Sequence, residues 1–135
     1  MASRVTIRSA RPEDARSIQQ LLRIHLKQPC SLKRVQACVD SGSMRVATCN
    51  GTLCAFTFYV PLTDSVMVDS LIVKANRQGK GIGTRMMHDV IREAKDMGYE
   101  VIELSSSLEN VSFYEKLGFV VKDKVHRHRH MILNL

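Results

Sequence analysis

A glycine-rich turn constrains this chain more than any other feature of its sequence. Residues 77–83 read Arg-Gln-Gly-Lys-Gly-Ile-Gly and follow an apolar run over residues 66–73. Apolar residues then recur at helical spacing over residues 82–97. Glycines let a backbone approach a ligand closely, and the N–H groups and dipole of a helix start attract anions. The sequence therefore predicts a strand, a turn and a helix, with a phosphate-bearing ligand at residues 79–84.

Two common phosphate-binding motifs fit this turn poorly. A nucleotide P-loop requires Gly-Lys-Ser/Thr, whereas Lys80 is followed by Gly81. A dinucleotide fingerprint spaces its glycines as Gly-x-Gly-x-x-Gly and needs an acidic residue at the end of the next strand. Here the glycines alternate, and Glu100 and Glu103 lie at the start and middle of the next predicted strand.

A third pattern, Gln/Arg-x-x-Gly-x-Gly/Ala, is met by Gln78, Gly81 and Gly83. It resembles the pyrophosphate-binding motif of the GNAT superfamily, the acyl-CoA-dependent N-acetyltransferases. Three further stretches resemble the same family in order and spacing. Residues 7–18 are similar to its first strand and helix, residues 71–73 to the end of its fourth strand, and Phe-Tyr-Glu-Lys-Leu-Gly-Phe at 113–119 to its closing helix and turn. The resemblance covers residues 7–119.

The resemblance implies acetyl-CoA as co-substrate and suggests which residues bind it. The family's fourth strand contributes main-chain groups, one N–H serving the oxyanion. Ser107 stands where many relatives have a cofactor-binding Asn, and Asn110 lies in a run similar to that of glucosamine-6-phosphate N-acetyltransferases; capping or a surface position would explain Asn110 equally well. The implied cofactor-binding residues are Leu71, Ile72, Val73, Gln78, Gly79, Lys80, Gly81, Ile82, Gly83, Thr84, Ser107, Asn110 and Phe113.

Two side chains are candidates for proton transfer. Tyr114 occupies the tyrosine position of the closing motif, where many relatives place the acid that protonates the departing thiolate; alternatively it is a core tyrosine with a solvated hydroxyl. Asp69 is an acidic residue within an otherwise apolar predicted strand. Many relatives have a glutamate base near this position, so Asp69 is either a base acting through water or a structural carboxylate. Asp64 is interpreted as a turn residue.

Length and composition predict one domain over residues 1–135 with an ordinary globular core, 44% of residues being hydrophobic. We expect a cytoplasmic protein without a membrane span, because no apolar stretch approaches ~20 residues and no leader precedes Val5. The four cysteines fit no metal-binding spacing, and a disulfide between Cys49 and Cys54 is not favoured. The sequence predicts no metal site.

The predicted element order is β-α-α-β-β-β-α-β-α-β-β, which gives an α/β (α+β) fold. Its core is a mixed, mostly antiparallel twisted sheet of about six to seven strands with helices on both faces. Ser31 is expected to cap the second helix, which follows a break at Pro29, and Ser106 to open a capping box with Glu109. The last two strands are predicted over residues 119–125 and 131–135.

The predicted function is acetyl transfer from acetyl-CoA to a primary amine of a small molecule or peptide, by direct attack in a ternary complex. The alternative is a non-catalytic acyl-CoA sensor or scaffold with the same fold. The net charge of +7 fits a polyanionic cofactor, and low aromatic content disfavours nucleic-acid binding. A homodimer is compatible with exposed sheet ends.

The histidines are predicted to lie at or near the surface. His88 is predicted to lie on the surface, His25 could contact substrate, and residues 126–130 form a solvated hairpin or line the substrate mouth.

Overall fold

The computed structural model describes residues 4–26 and 30–135, which contain seven strands, four α-helices and three short 3₁₀ turns. The 3₁₀ turns, at Pro12–Asp14, Ala75–Arg77 and Leu108–Asn110, immediately precede α1, the glycine turn and α4. In chain order the strands and helices are β1 (Val5–Ser9), α1 (Ala15–Leu26), α2 (Leu32–Asp40), β2 (Met44–Cys49), β3 (Thr52–Pro61), β4 (Ser65–Val73), α3 (Ile82–Asp96), β5 (Val101–Ser107), α4 (Val111–Lys116), β6 (Val120–Val125) and β7 (His128–Asn134).

The seven strands form one sheet in the order β1-β2-β3-β4-β5-β7-β6. The β1–β2, β2–β3, β5–β7 and β6–β7 pairs are antiparallel, whereas β4 and β5 are parallel. The β4–β5 ladder joins Ser65–Val68 to Val101–Leu104, although β4 continues to Val73 and β5 to Ser107. The predicted mixed, mostly antiparallel sheet with helices is confirmed.

The chain divides into two compact units. The first comprises the described residues up to Phe58 together with Ser70–Met87. It contains two apolar clusters. One joins α1 and α2 to the sheet, and its buried members are Ala15, Ile18, Leu21, Val35, Val39, Met44, Val46, Phe56 and Ile72. The other anchors the start of α3, and its buried members are Ala47, Cys49, Cys54, Ala55, Ile82 and Met86.

Polar contacts fix the helix starts of this unit. The Arg8 guanidinium donates two hydrogen bonds to the Asp14 carboxylate, at 2.8 and 3.0 Å, and the Arg11 N–H donates to the same carboxylate at 2.7 Å. Hydrogen bonding from Arg8 holds the pKa of Asp14 below its ordinary value. The Ser31 hydroxyl accepts the Arg34 N–H at 3.1 Å, which confirms the predicted cap of α2. Pro29 lies outside the described residues.

The second unit comprises Tyr59–Asp69 and His88–Leu135. Most of its buried side chains come from β4, α3, β5 and β7, and they alternate along the strands, as a half-buried sheet requires. Among them are Val66, Val68, Val90, Ala94, Ile102, Leu104 and Met131. β6 lies at the end of the sheet order, and every one of its residues is exposed.

Two predicted boundaries near the end of the chain are wrong. β5 runs to Ser107, so Ser106 is a buried strand residue whose hydroxyl donates to the Ser107 carbonyl at 2.8 Å, and it caps no helix. β7 begins at His128 instead of residue 131. Both corrections have one cause: β5 and β7 pair over their full facing length, from Val101 opposite Asn134 to Ser107 opposite His128. This pairing outweighs the low strand propensity of serine.

No helix in the described part of the chain is long and apolar enough to cross a membrane. All four cysteines are free. The extent of the single domain over residues 1–135 stays a prediction.

Candidate functional site

The glycine turn is built by backbone conformations that side chains disfavour. After the 3₁₀ turn Ala75–Arg77, Gly79 and Gly81 take φ values of +75° and +81°. An L side chain is strained at such angles, which explains glycine at both positions. A Cβ added at either glycine would have no atom of the protein within 4 Å. The requirement for glycine is therefore conformational, and the space beside the turn is open to a ligand.

α3 starts directly at this turn. The Arg85 N–H donates to the Gly81 carbonyl at 3.0 Å, which is the first helical hydrogen bond. The N–H groups of Ile82, Gly83 and Thr84 precede it and have no carbonyl one turn back along the helix. The Ile82 side chain is buried in the second apolar cluster, whereas Gly79, Lys80 and Gly81 are exposed. The helix start is thus held by the core and offers its backbone donors at the surface.

Hydrogen bonds also connect the turn to the end of β4 and to β3. The Gln78 side-chain amide donates to the Val73 carbonyl at 3.0 Å, and the Lys74 N–H donates to the Cys54 carbonyl of β3 at 2.8 Å. The N–H of Arg77 closes the 3₁₀ turn on the Lys74 carbonyl at 2.8 Å. The observed contact of the Gln78 side chain is therefore within the protein, and its amide orients the loop that carries the glycines.

The last residues of β4 are fixed by side chains on both faces of the strand. Ile72 is buried in the cluster beneath α1 and α2, whereas Leu71 and Val73 pack against the cluster at the start of α3. All three lie beyond the four residues of β4 that pair with β5. Their backbone groups are therefore rigidly placed outside that ladder.

Basic residues surround the turn. Lys74, Lys80 and Arg85 are exposed, Arg77 is half-buried, and the Arg85 guanidinium reaches the Val5 carbonyl at 3.4 Å. The turn thus combines helix N–H donors, positive helix dipole and cationic side chains, and no acidic residue occurs between Ser70 and Met87. These groups fit a pyrophosphate such as that of coenzyme A.

Tyr114 lies on α4 in the second unit. Its ring makes edge-to-face contacts with Phe113 and Phe119, with ring centroids 5.0 and 5.8 Å apart. Burial raises the pKa of the Tyr114 hydroxyl, so the phenol stays protonated at neutral pH. The Phe119 N–H donates to the Tyr114 carbonyl at 3.1 Å across a turn in which Gly118 has φ +101°. The Tyr-Glu-Lys-Leu-Gly-Phe run therefore holds the tyrosine in one orientation.

The other candidates of this unit lie around the start of α4. Ser107 is half-buried at the end of β5, Asn110 is exposed at the N-terminal end of α4, and Phe113 is half-buried against the Tyr114 ring. The Asn110 side chain makes no capping hydrogen bond to α4. Their roles toward a cofactor stay predictions.

Asp69 is exposed near the end of the β4 segment in the second unit. Strand alternation places it on the same face as Ser65 and Met67, opposite the buried Val66 and Val68. It is thus a carboxylate on the solvent-facing side of the strand. The Asp69 carboxylate is therefore exposed to solvent.

A polar cluster on that face was missed by sequence reasoning. Ser65 donates to the Glu103 carboxylate at 2.8 Å, and His130 Nε2 lies 3.1 Å from the other Glu103 oxygen. His130 Nδ1 lies 3.7 Å from Asp123. The Ser65 hydrogen bond, with a contribution from His130, lowers the pKa of Glu103 against the effect of burial. Residues 126–130 were predicted as a solvated hairpin or as the lining of the substrate mouth, and only the pairing of β7 with β5 and β6 gives His130 its partners.

The remaining histidines are placed as follows. His88 is exposed on α3, as predicted. His25 lies in the last turn of α1, and its Nε2 is buried without a hydrogen-bond partner among the described residues. His126 has φ +52° in the β6–β7 turn, whereas His128 and His130 lie in β7. The described residues contain no group of three or more His, Cys, Asp or Glu side chains suited to a metal ion.

Comparison with known proteins identifies the family. The family described as "Acetyltransferase (GNAT) domain" matches residues 25–133. The chain belongs to this family of GNAT acetyltransferase domains. The resemblance inferred from the glycine turn and the closing motif is thereby confirmed, and the matched residues form a GNAT acetyltransferase domain.

Individual proteins that resemble this GNAT domain share a modest fraction of its sequence or match only part of it. An uncharacterized N-acetyltransferase, YvbK of Bacillus subtilis, is 34% identical over 61 residues, which are 43% of this chain and 39% of that protein. The matched region is thus well under half of that relative. PaiA N-acetyltransferase of Thermoplasma acidophilum, solved with coenzyme A, has TM-score 0.88 at 18% identity over 98% of this chain and 99% of that one. YncA of Salmonella typhimurium, a putative acetyltransferase solved with acetyl-CoA, has TM-score 0.86 at 21% identity over 98% and 95%. These two structures establish the shared fold.

Proposed function

We propose that this protein transfers the acetyl group of acetyl-CoA to a primary amine of a small molecule or peptide, by direct attack in a ternary complex. The reaction joins the amine nitrogen to the acetyl carbon and breaks the carbon–sulfur bond. The amine must lose a proton, the carbonyl oxygen must be stabilised as it gains charge, and the thiolate must gain a proton. Family membership and the anion-binding geometry of residues 78–84 carry the proposal.

The cofactor phosphates would be held by the backbone N–H groups at the start of α3. Because Gly79 and Gly81 take positive φ values, successive N–H groups can converge on one anion. Lys80 is exposed on the same turn and adds charge. The main chain of Leu71, Ile72 and Val73 would receive the pantetheine arm and the acetyl group, since these residues extend beyond the β4–β5 ladder.

Tyr114 would give its proton to the departing thiolate. The raised pKa supports this role because the phenol is protonated over the whole physiological range. Asp69 would accept the amine proton, directly or through water, and its exposure supports this role because substrate and water can both reach it. Asp69 has a shorter side chain than the glutamate of many relatives, which favours the water relay.

The acceptor is proposed only as a class. The charged side chains exposed on the β6–β7 hairpin are mainly basic: Lys122, Lys124 and Arg127 stand against Asp123. A basic surface would disfavour a polycationic amine and favour a neutral or acidic one. Acidic and phosphorylated amines, peptides included, are therefore the first acceptors to try.

The test has two stages. Calorimetric titration with acetyl-CoA, CoA and ATP measures recognition of the cofactor, and a panel of acidic, neutral and polycationic amines with a free-thiol assay then measures transfer. Salt-sensitive binding of acetyl-CoA that ATP does not match, followed by turnover with an amine, would support the proposal. Binding without turnover on any amine would favour an acyl-CoA sensor. Lack of binding to acetyl-CoA would contradict both.

A further inference from the structure

Thr57 is a fully buried polar residue at the centre of β3. Its relative exposure is 0%, and the preceding three residues, Cys54, Ala55 and Phe56, are also buried. The Thr57 hydroxyl donates to the Ser70 carbonyl of β4 at 2.8 Å. A hydroxyl buried in such a place without a partner would be destabilising, so this bond is what makes threonine acceptable there.

The carbonyl that accepts this hydrogen bond belongs to the Ser70–Leu71 peptide group, and its direction fixes the direction of the Leu71 N–H. The Ser70 carbonyl and the Leu71 N–H are the two ends of one peptide unit, and the described chain contains no cis peptide. In a trans peptide the C=O and N–H bonds point in opposite directions. Because the carbonyl points at Thr57 on β3, the Leu71 N–H points from the opposite edge of β4.

The same hydrogen bond also affects the donor strength of that N–H. Hydrogen bonds in a chain polarise one another, so a carbonyl that accepts a bond makes the N–H of its peptide a better donor, by perhaps about 10–30%. Thr57 thus both sets the direction of the Leu71 N–H and strengthens it. Leu71 lies beyond Val68, the last β4 residue that pairs with β5.

The resemblance to the GNAT family already implies an oxyanion donor among the β4 N–H groups of residues 71–73. We propose that Thr57 is the positioning residue of this donor, and that the donor it positions is the Leu71 N–H. This inference rests on the proposed acetyl transfer and deepens it, since it selects one of the three candidate N–H groups of residues 71–73. Thr57 acts through the Ser70–Leu71 peptide and contacts no substrate. Its hydroxyl therefore contributes to the rate of transfer and little to the binding of the cofactor phosphates.

The test compares wild type with Thr57→Val, which keeps the side-chain shape without the hydroxyl, and Thr57→Ser, which keeps the hydroxyl. Ser41→Ala is the matched control, because it removes another hydroxyl-to-carbonyl bond, that of Ser41 to Cys38, far along the chain from β4. We expect Thr57→Val to lower kcat about ten- to hundredfold, somewhat less than loss of an oxyanion donor, while KM for acetyl-CoA changes little. Thr57→Ser and Ser41→Ala should retain most of the wild-type kcat.

A second measurement does not depend on the acceptor amine. The NMR amide shift of Leu71 is recorded with CoA and with acetyl-CoA, and the difference reports contact with the acetyl carbonyl. Wild type and Thr57→Ser should show this difference, and Thr57→Val should lose it. Thermal unfolding is measured first; if Thr57→Val does not fold, Thr57→Cys replaces it, since its thiol is a weaker donor of similar size.

The outcomes separate the two proposals. Lack of cofactor binding or turnover in wild type would overturn the proposed function itself. An active wild type without an acetyl-dependent shift at Leu71 would overturn the choice of that N–H. An active wild type with the shift, together with a folded Thr57→Val that keeps full kcat and the same shift, would overturn the positioning role of Thr57.

Discussion

The side-chain amide of Gln78 donates to the Val73 carbonyl across a distance of 3.0 Å, so the first residue of the glycine motif is bonded to the last residue of β4. The two proposed parts of the cofactor site in the first unit, the strand and the anion-binding turn, are thereby joined by one hydrogen bond. The Gln78 side chain thus orients the loop, and under the proposed function phosphate binding would fall to the backbone N–H groups.

Replacement of Gln78 should therefore weaken cofactor binding without abolishing it. Gln78→Ala removes one hydrogen bond, worth about 1 kcal/mol, which corresponds to about fivefold weaker binding of acetyl-CoA. The affinity is measured by calorimetry, with Gln20→Ala on the exposed side of α1 as control. A complete loss of binding in a folded Gln78→Ala protein would instead indicate direct contact with the ligand.

Replacement of Tyr114 should affect turnover and spare binding. Tyr114→Phe removes the proposed acid, and we expect kcat to fall about a hundredfold while the Kd for acetyl-CoA stays close to the wild-type value. Because burial raises the pKa of Tyr114, wild-type activity should lose this acid only when the pH rises above the ordinary range of tyrosine, and never near neutrality. Tyr99→Phe is the control. If Tyr114→Phe has the same kcat as Tyr99→Phe, Tyr114 serves only in packing and is not the acid.

Replacement of Asp69 should alter how the rate depends on pH. Asp69→Asn removes the proposed base, so kcat/KM at neutral pH should fall, and the rate should then rise with pH as the amine deprotonates in solution. The same substitution at Asp64, an exposed residue just before β4, should leave the pH profile unchanged. Superimposable profiles for wild type and Asp69→Asn would show that bulk water takes the proton.

The Arg8–Asp14 pair should contribute to stability in a pH-dependent way. The Asp14 side chain is 10% exposed and its pKa is lowered mainly by the Arg8 hydrogen bond, so its contribution is present above about pH 4 and is lost as pH falls through the folded-state pKa. Asp14→Asn should reduce the free energy of unfolding by about 2 kcal/mol at neutral pH.

Urea denaturation between neutral and acidic pH measures this effect. The wild-type free energy of unfolding should fall more steeply with acid than that of Asp14→Asn, so the two curves converge at low pH. Asp40→Asn, at the exposed end of α2, serves as control. Parallel curves for wild type and Asp14→Asn would contradict the pair's role.

The parts of the fold that were predictable are those that local chemistry decides. The Asn50-Gly51 turn between β2 and β3 takes φ values of +52° and +84°, as that dipeptide favours. The Ser31 cap and the glycine turn before α3 likewise need only neighbouring residues. Each of these signals lies within a few positions of the element that it specifies.

The parts that were missed depend on pairing between distant segments. The Glu103–His130 contact joins residues 27 positions apart, and the Thr57–Ser70 bond joins residues 13 apart. Ser106 and Ser107 carry no strand signal, and only their pairing with β7 extends β5 through them. Such contacts require the strand register, which a single sequence leaves open.

The measurement that tests the central claim most directly is calorimetric titration of acetyl-CoA into wild type, Gly81→Asp and Gly42→Asp. Gly81 and Gly42 have nearly equal φ values, +81° and +80°, and both have open space around an added Cβ. The two substitutions therefore carry similar strain and the same charge, but only the first puts a carboxylate at the start of α3. We predict that Gly81→Asp abolishes binding of acetyl-CoA and that Gly42→Asp binds it as wild type does. Binding of wild-type affinity by a folded Gly81→Asp protein would contradict the claim that residues 79–84 hold the cofactor.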